Sequence, residues 1–316
     1  MILSYVLLFL LSCFLLAFSS KWLVGALSKI ALFLKVKEFV VGFFIMAFAA
    51  SLPNLFVGIV SALNKIPQLS FGDVIGGNIV DLTLVLGLAA LVSGGGLSAK
   101  SRTIQGSSLF TIFIGVFPLL LIADSRLSRS DGILLILSFF VYMVWLFSKK
   151  ERFAKIYDHS REKLDWKSFI KNLIILIASV FLLLVGAELI VRSASYFSSL
   201  LDLPLSLIGL FIVGLGNCLP EAIFSIQAAK RGHDWMILGD LMGGVVMCAT
   251  LVLGVVSLIS PITITNFSPF AIARIFLILS ALLFLFCLRS DRKISKKEGI
   301  GLIGLYIIFL IVEIFR

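Results

Sequence analysis

Charge is what this sequence has least of. Only 14% of its 316 residues are Asp, Glu, Lys or Arg, against 60% hydrophobic; a soluble domain of that composition would aggregate, so most of the chain has lipid as its solvent. Ile2 to Ser20, Phe43 to Leu63, Leu109 to Ala123, Ile133 to Phe147 and Ile300 to Ile311 carry no charged side chain. Such runs reach or approach the roughly 20 apolar residues with which a helix crosses a bilayer. They are continuous, and the missing alternation of polar with apolar excludes a transmembrane β-barrel. The four cysteines (Cys13, Cys218, Cys248, Cys287) show neither CxxC spacing nor a pairing pattern, so nothing points to a disulfide framework or a zinc site. No basic segment precedes the first apolar run, since Lys21 follows it; Met1 to Ser20 is therefore expected to be a first transmembrane helix and not a cleaved signal. Although the formal charge is +10, the basic residues gather on no soluble domain large enough to dock a duplex, which argues against nucleic acid as a partner.

What is there is a series of about ten helix-length apolar spans, near 2–29, 38–63, 70–95, 105–123, 131–148, 168–195, 204–229, 236–259, 267–288 and 300–315. The fold class expected is an all-α membrane protein. One long polar segment, Lys149 to Lys167, holds seven basic and four acidic residues and divides the spans five and five. The domains expected are a first five-helix repeat over 1–148, a basic cytoplasmic loop over 149–167 and a second five-helix repeat over 168–316. With that loop inside, Lys35, Lys37, Lys100, Arg102, Lys230, Arg231, Arg289, Arg292, Lys293, Lys296 and Lys297 fall inside too. The bias fits the positive-inside rule with both termini outside, in a plasma membrane of bacterial type (inner membrane), no organelle-targeting signature being present.

Internal repetition is the most informative pattern. Ala50 to Gly87 and Asn217 to Gly254 align without a gap at an offset of 167 and share 13 identities, among them Pro53/Pro220, Gly72-Asp73/Gly239-Asp240 and Gly76-Gly77/Gly243-Gly244. Two greasy segments share scattered Leu and Val by chance, but not these residues in one register. Because each half has an odd number of spans, the second copy enters the membrane from the opposite side. Inverted repeats are a transporter architecture whose substrate site lies at the midplane, where helices are broken.

Each repeat begins its motif with a proline inside an apolar span, after Ala50-Ser51-Leu52 or Asn217-Cys218-Leu219. Proline lacks an N–H and clashes with the carbonyl one turn earlier, so carbonyls near 49–50 and 216–217 are expected to be freed for a cation, a simple kink being the alternative. Asn54 and Glu221 follow directly. On the next helix Asp73, Gly77 and Asp81 share one stripe, as do Asp240, Gly244 and Cys248. Ionised groups at this depth cost a few kcal/mol or more unless neutralised. Four carboxylates, Asp73, Asp81, Glu221 and Asp240, have no Lys or Arg beside them in the repeat cores, so a cation or protons are expected to do it. For Asp73 and Asp240 capping of a helix N-terminus is the structural alternative.

This pair of repeats resembles the α-repeats of the sodium/calcium exchanger (calcium:cation antiporter) superfamily, in which a hydroxyl-Leu-Pro-Glu element is followed by Gly-Asn-x-x-Gly-Ser-Asn in both halves. The resemblance implies a cation site formed by Ser51, Asn54, Gly77, Asp81, Asn217, Cys218, Glu221, Gly244 and Cys248, supported by Ala50, Asp73 and Asp240, with Asp81 and Glu221 holding the metal ion. The departures are Asn54 for glutamate, Gly77 and Gly244 for serines, Cys248 for a carboxylate or amide, and Asp73 and Asp240 for asparagines. Carboxylates suit Ca2+. The thinned hydroxyl set puts sodium sites in doubt, and protons are an alternative counter-ion because clustered buried carboxylates couple ion release to protonation. Two thiols at ligand positions leave room for a softer metal, although cysteine is also a common buried residue. The function expected is secondary active antiport of Ca2+ against Na+ or H+, with inorganic cations as cargo, no cofactor and no enzymatic activity. Two other readings are an intramembrane aspartyl protease using Asp73 and Asp240, which lacks the Gly-x-Gly-Asp and Pro-Ala-Leu elements, and a non-transporting member acting as scaffold or sensor.

Overall fold

The computed structural model describes residues 2–33, 51–148, 166–264 and 268–315, nearly all of them helical. The helices are α1 (Ile2–Phe33), α2 (Leu52–Leu63), α3 (Pro67–Val92), α4 (Arg102–Leu121), α5 (Arg129–Ser148), α6 (Trp166–Leu201), α7 (Leu205–Lys230), α8 (Asp234–Ile259), α9 (Ser268–Ser290) and α10 (Lys296–Ile314). Among the described residues eight of them are long and apolar enough to cross a membrane. Of the other two, α2 is the described part of the span expected near 38–63, whose residues 38–50 lie outside the described residues. The last, α10, has 19 residues, about 28 Å at a 1.5 Å rise. The all-α, roughly ten-span membrane architecture is therefore the one observed. Span ends move by a few residues: α3 starts at Pro67 because proline suits a first helical turn. Helix α6 runs on to Leu201 and stops where Asp202 turns left-handed, two residues before Pro204. Of the expected basic loop, 149–165 lies outside the described residues, and Trp166 and Lys167 already belong to α6.

The offset of 167 is reproduced to the residue. Leu52–Leu63 answers to Leu219–Lys230, Pro67–Val80 to Asp234–Met247, Asp81–Val85 to Cys248–Val252, and Leu86–Val92 to Leu253–Ile259. Inversion shows in the outermost pair: Tyr5, near the start of α1, stacks on Tyr196, near the end of α6, with ring centroids 3.8 Å apart. At the other end Phe33 packs on Trp166 and Phe169, so equivalent helices run antiparallel. Burial separates an axis from a periphery. Within their most apolar windows α3 is 83% and α8 72% buried, against 28% for α1 and 33% for α6. The last two present Leu7, Phe14, Phe18, Ile174, Ile177 and Phe181 outward, as helices facing lipid do.

Small residues let the axis close. A side chain at Gly72 or Gly76 of α3 would run into the backbone carbonyls of Ser206 and Leu210 on α7, and one at Gly209 into that of Leu69; the two backbones touch along this line. Two short antiparallel ribbons stitch the halves together. β1 (Leu97–Ser98) pairs with β4 (Lys293–Ile294), and β2 (Arg126–Leu127) with β3 (Ile262–Thr263). Each ribbon takes one strand from each half.

Candidate functional site

In each repeat a helical segment begins one residue before the proline. Ser51 (φ −87°, ψ 0°) precedes α2, and Cys218 (φ −81°, ψ −3°) interrupts α7 between Gly214–Asn217 and Leu219–Lys230. Pro53 thus occupies the first turn of α2 and Pro220 the first turn of α7 where it restarts, positions at which the missing N–H has no bond to lose, and not a helix interior as the sequence suggested. The carbonyls at the break positions themselves are used: Ser51 O accepts from Leu55 N at 3.0 Å and Cys218 O from Ala222 N at 2.9 Å. Ala50 lies outside the described residues.

Against these breaks stand two π-helical turns. Leu86 N reaches back five residues to Asp81 O, and Leu253 N to Cys248 O; the widened turn displaces the backbone locally, a device that recurs at functional sites. The two motifs meet across the halves. Asn54 Nδ2 donates to Cys248 Sγ at 3.1 Å, and Ser51 faces the same sulfur. On the related side Asp81 faces both Cys218 and Glu221. The Cys218 thiol donates to Gly77 O at 3.6 Å. Ser51, Asn54, Asp81, Cys218, Glu221 and Cys248 therefore form one central ring drawn from both repeats, buried except at the half-buried Glu221.

Asp73 and Asp240 are each the seventh residue of their helix, and the N-cap positions belong to Ile66 and His233, so the capping role is not theirs. Both Asp73 carboxylate oxygens accept from Asn217 Nδ2, each at 3.1 Å. Asn217 is thereby tied to α3. Gly77 and Gly244 are not closed off: a β-carbon on Gly77 would make ordinary contact with Cys218 Sγ at 3.5 Å, and one on Gly244 would meet nothing within 4 Å.

The electrostatics are those of uncompensated anions. No Lys or Arg among the described residues pairs with Asp73, Asp81, Glu221 or Asp240; the ion pair of Arg192 with Glu188, at 2.8 Å, is far more exposed. Asp81 Oδ1 and Glu221 Oε2 are buried with no hydrogen-bond partner, and so is Asn78 Nδ2. A buried acceptor without a donor costs about 1–3 kcal/mol, more when charged. Among the described residues no three His, Cys, Asp or Glu side chains are grouped tightly enough to hold a metal ion; Asp81 and Glu221 are charge neighbours, and Asp240 is a neighbour of both. Sequence reasoning passed over Asn78, whose signal was an amide in an apolar span between Gly77 and Asp81. It also did not foresee that Asn217 binds Asp73.

Comparison with known proteins gives concordant results. The model of the family described as sodium/calcium exchanger protein matches residues 4–148 and 171–315. A membrane protein of Methanocaldococcus jannaschii, described as uncharacterized, is 32% identical over 300 residues, covering 95% of each chain. The sodium/calcium exchanger MaX1 of Methanosarcina acetivorans is 25% identical over 330 residues, covering 93% of each. Among solved structures, the sodium-calcium exchanger NCX_Mj soaked with 2.5 mM Na+ and 10 mM Sr2+ superposes with a TM-score of 0.65 at 31% identity, over 98% of this chain and 99% of that one.

Proposed function

The chain belongs to the sodium/calcium exchanger protein family, and from that premise we propose that this multi-pass membrane cation antiporter exchanges Ca2+ for Na+ or H+ at the ring between its two halves. The family is one of transporters, not enzymes. One observation carries the reading. Asp81 and Glu221, one from each half, face each other in a lipid-embedded core with no basic partner, and each keeps a buried oxygen without a hydrogen bond. Two such anions repel and are poorly solvated, so the arrangement is stable only when a mobile positive species neutralises it. Ca2+ is a hard cation that takes carboxylate oxygens. Asn54 and Ser51 supply neutral oxygens on the other side of the ring. Alternating access follows if the peripheral pair α1 and α6 slides across the buried axis and opens the ring to each side in turn. The charge bias of the sequence supports both termini outside, and a plasma membrane of bacterial type fits the multi-pass architecture.

The test is Ca2+ flux in proteoliposomes driven separately by a Na+ gradient and by a pH gradient, for wild type, Asp81→Asn and Glu221→Gln. Removing one charged ligand at about 1.5–3 kcal/mol lowers apparent Ca2+ affinity by roughly 10- to 100-fold. Flux in Glu221→Gln indistinguishable from wild type would reject this assignment. The driving gradient that supports flux names the counter-ion. Saturable flux under either gradient also separates an antiporter from a scaffold or sensor.

A further inference from the structure

The two ends of the bundle carry different surfaces. Helix α4 runs for 20 residues from Arg102 to Leu121, about 30 Å at a 1.5 Å rise and hence the thickness of the hydrocarbon core. The β1–β4 ribbon before it and the β2–β3 ribbon after it therefore lie at headgroup depth on opposite faces of the bilayer. At the β1–β4 end, Lys100, Arg102, Arg289, Arg292, Lys293 and Lys296 are all exposed. The fold gathers them: Ala99 N donates to Arg292 O at 2.7 Å, and Gln105 Nε2 on α4 donates to Ala99 O and Leu288 O at 2.9 Å each. Among the described residues none of the six forms an ion pair. Most of the acid on the same elements is engaged elsewhere, since Asp234 accepts from Ser98 N at 2.9 Å and Glu298 from Ser295 N at 2.7 Å, which leaves Asp291. The opposite ribbon is balanced, with Arg126 and Arg129 beside Asp124 and Asp131.

The floor of the basic end is glycine. Lys293 Nζ lies 3.7 Å from where a β-carbon on Gly95 would sit, and Lys293 Cε 3.1 Å from one on Gly96. Gly96 serves a φ of +86°, but Gly94 and Gly95 serve no such need: neither is left-handed, both are exposed, and a β-carbon would fit on each. At the offset of 167 the second half has Pro261 and Ile262 in their place, so the corner itself does not demand them. Two glycines required by neither backbone nor packing leave the Lys293 ammonium uncovered.

We infer that this end of the bundle is a docking surface for the headgroups of anionic phospholipids in the leaflet it faces, centred on Lys293 above Gly94 and Gly95. The inference rests on the membrane-spanning fold and not on the cargo of the central ring. A lipid phosphate is held at this depth by its acyl chains and already faces the ribbon, whereas a soluble anion has to be captured from dilute solution. Each Lys or Arg beside an anionic membrane surface contributes about fivefold in association. The attraction fades over a Debye length, about 10 Å at 0.1 M salt, so cations gathered on one ribbon act on the same few headgroups. Orientation during insertion asks only for cations on one side; it does not ask for them to be unpaired around an uncovered glycine floor.

The probe is phosphatidylglycerol in competition with an equal amount of phosphatidylcholine, added to the full-length protein in neutral detergent. The readout is the ratio of the two lipids retained by the protein in native mass spectrometry. Wild type is expected to retain phosphatidylglycerol in preference. Lys100→Gln/Arg292→Gln/Lys293→Gln removes three charges and should lower that preference roughly 10- to 100-fold. Gly95→Asp keeps every cation, sets a carboxylate against the Lys293 ammonium, and should lower the preference about fivefold; it decides the matter if the triple variant does not fold. Arg126→Gln, at the balanced ribbon, is expected to keep the wild-type preference. Equal retention of both lipids by wild type, an unchanged preference in Gly95→Asp or in the triple variant, or a loss in Arg126→Gln as large as in the triple variant overturns the inference. So does displacement of phosphatidylglycerol by inorganic phosphate, which would make the surface a site for soluble anions.

Discussion

Replacing Gly76 by alanine adds a single methyl group where the axis is as tight as anywhere along α3. The new carbon would overlap the carbonyl oxygen of Leu210 and lie 2.7 Å from its carbon and 2.8 Å from its Cα. These are backbone atoms of α7, so no rotamer change relieves the overlap. Carbon atoms rest at about 3.5–4.0 Å, and α3 and α7 would have to part by roughly 1 Å along a line where they touch repeatedly. Overpacking of this kind costs about 1–3 kcal/mol, and a backbone-to-backbone clash belongs at the upper end; about 3 kcal/mol is roughly a hundredfold in the folding equilibrium. The neighbouring Gly77 is the control. Its added carbon meets only Cys218 Sγ at 3.5 Å, while alanine gains about 0.5–1 kcal/mol over glycine inside a helix. The assay is the surviving monodisperse fraction by size-exclusion chromatography after stepwise heating in detergent. Gly76→Ala is expected to melt well below wild type and Gly77→Ala at or slightly above it. Equal midpoints for the two variants would refute the claim that α3 and α7 touch through Gly76.

Three further outcomes follow from the contacts. Asn217→Leu takes the donor from both Asp73 oxygens and should lower thermal stability by about 1–3 kcal/mol; the double variant Asp73→Leu/Asn217→Leu should recover most of it, and equal losses in single and double variants would contradict the pairing. Ser295→Ala removes the hydroxyl that accepts from Glu298 N at the start of α10 and leaves the backbone arm of the capping box in place, at about 1 kcal/mol, read as a lowered melting midpoint that Ser295→Asp restores. Asn64→Ala breaks the 3.2 Å bond to Glu188 that ties the end of α2 to α6; being exposed, it should change stability by about 0.5 kcal/mol or less, and a loss several times larger would mark that bond as a main anchor of α6.

Much of the architecture was legible because lipid imposes it. Span length and the absence of charge follow from bilayer thickness, and an odd span number per half, with Gly72-Asp73 and Gly239-Asp240 in register, implies inversion without any contact information. The ring was legible as a set of residues but not as a set of bonds. Asn54 meets Cys248 across 194 positions and Asn217 meets Asp73 across 144, and nothing local in either motif says which half a side chain will reach. The π-helical turns at Asp81 and Cys248 were equally hidden, because their residues read as ordinary helix formers. Pro53 and Pro220 were placed in helix interiors because hydropathy runs unbroken through Ser51 and Cys218, whereas α2 starts at Leu52 and α7 is interrupted at Cys218.

The ribbons set a timetable for the chain's own synthesis. β1 waits for Lys293 and Ile294, almost two hundred residues later, and β2 waits for Ile262 and Thr263. When the ribosome has finished the first half, that half holds strand edges whose mates have yet to be translated. Maturation is consequently a late event that waits for α9 and the strand after it, and a message truncated before Lys293 should yield an inserted but unfinished polypeptide, a natural target for membrane quality control.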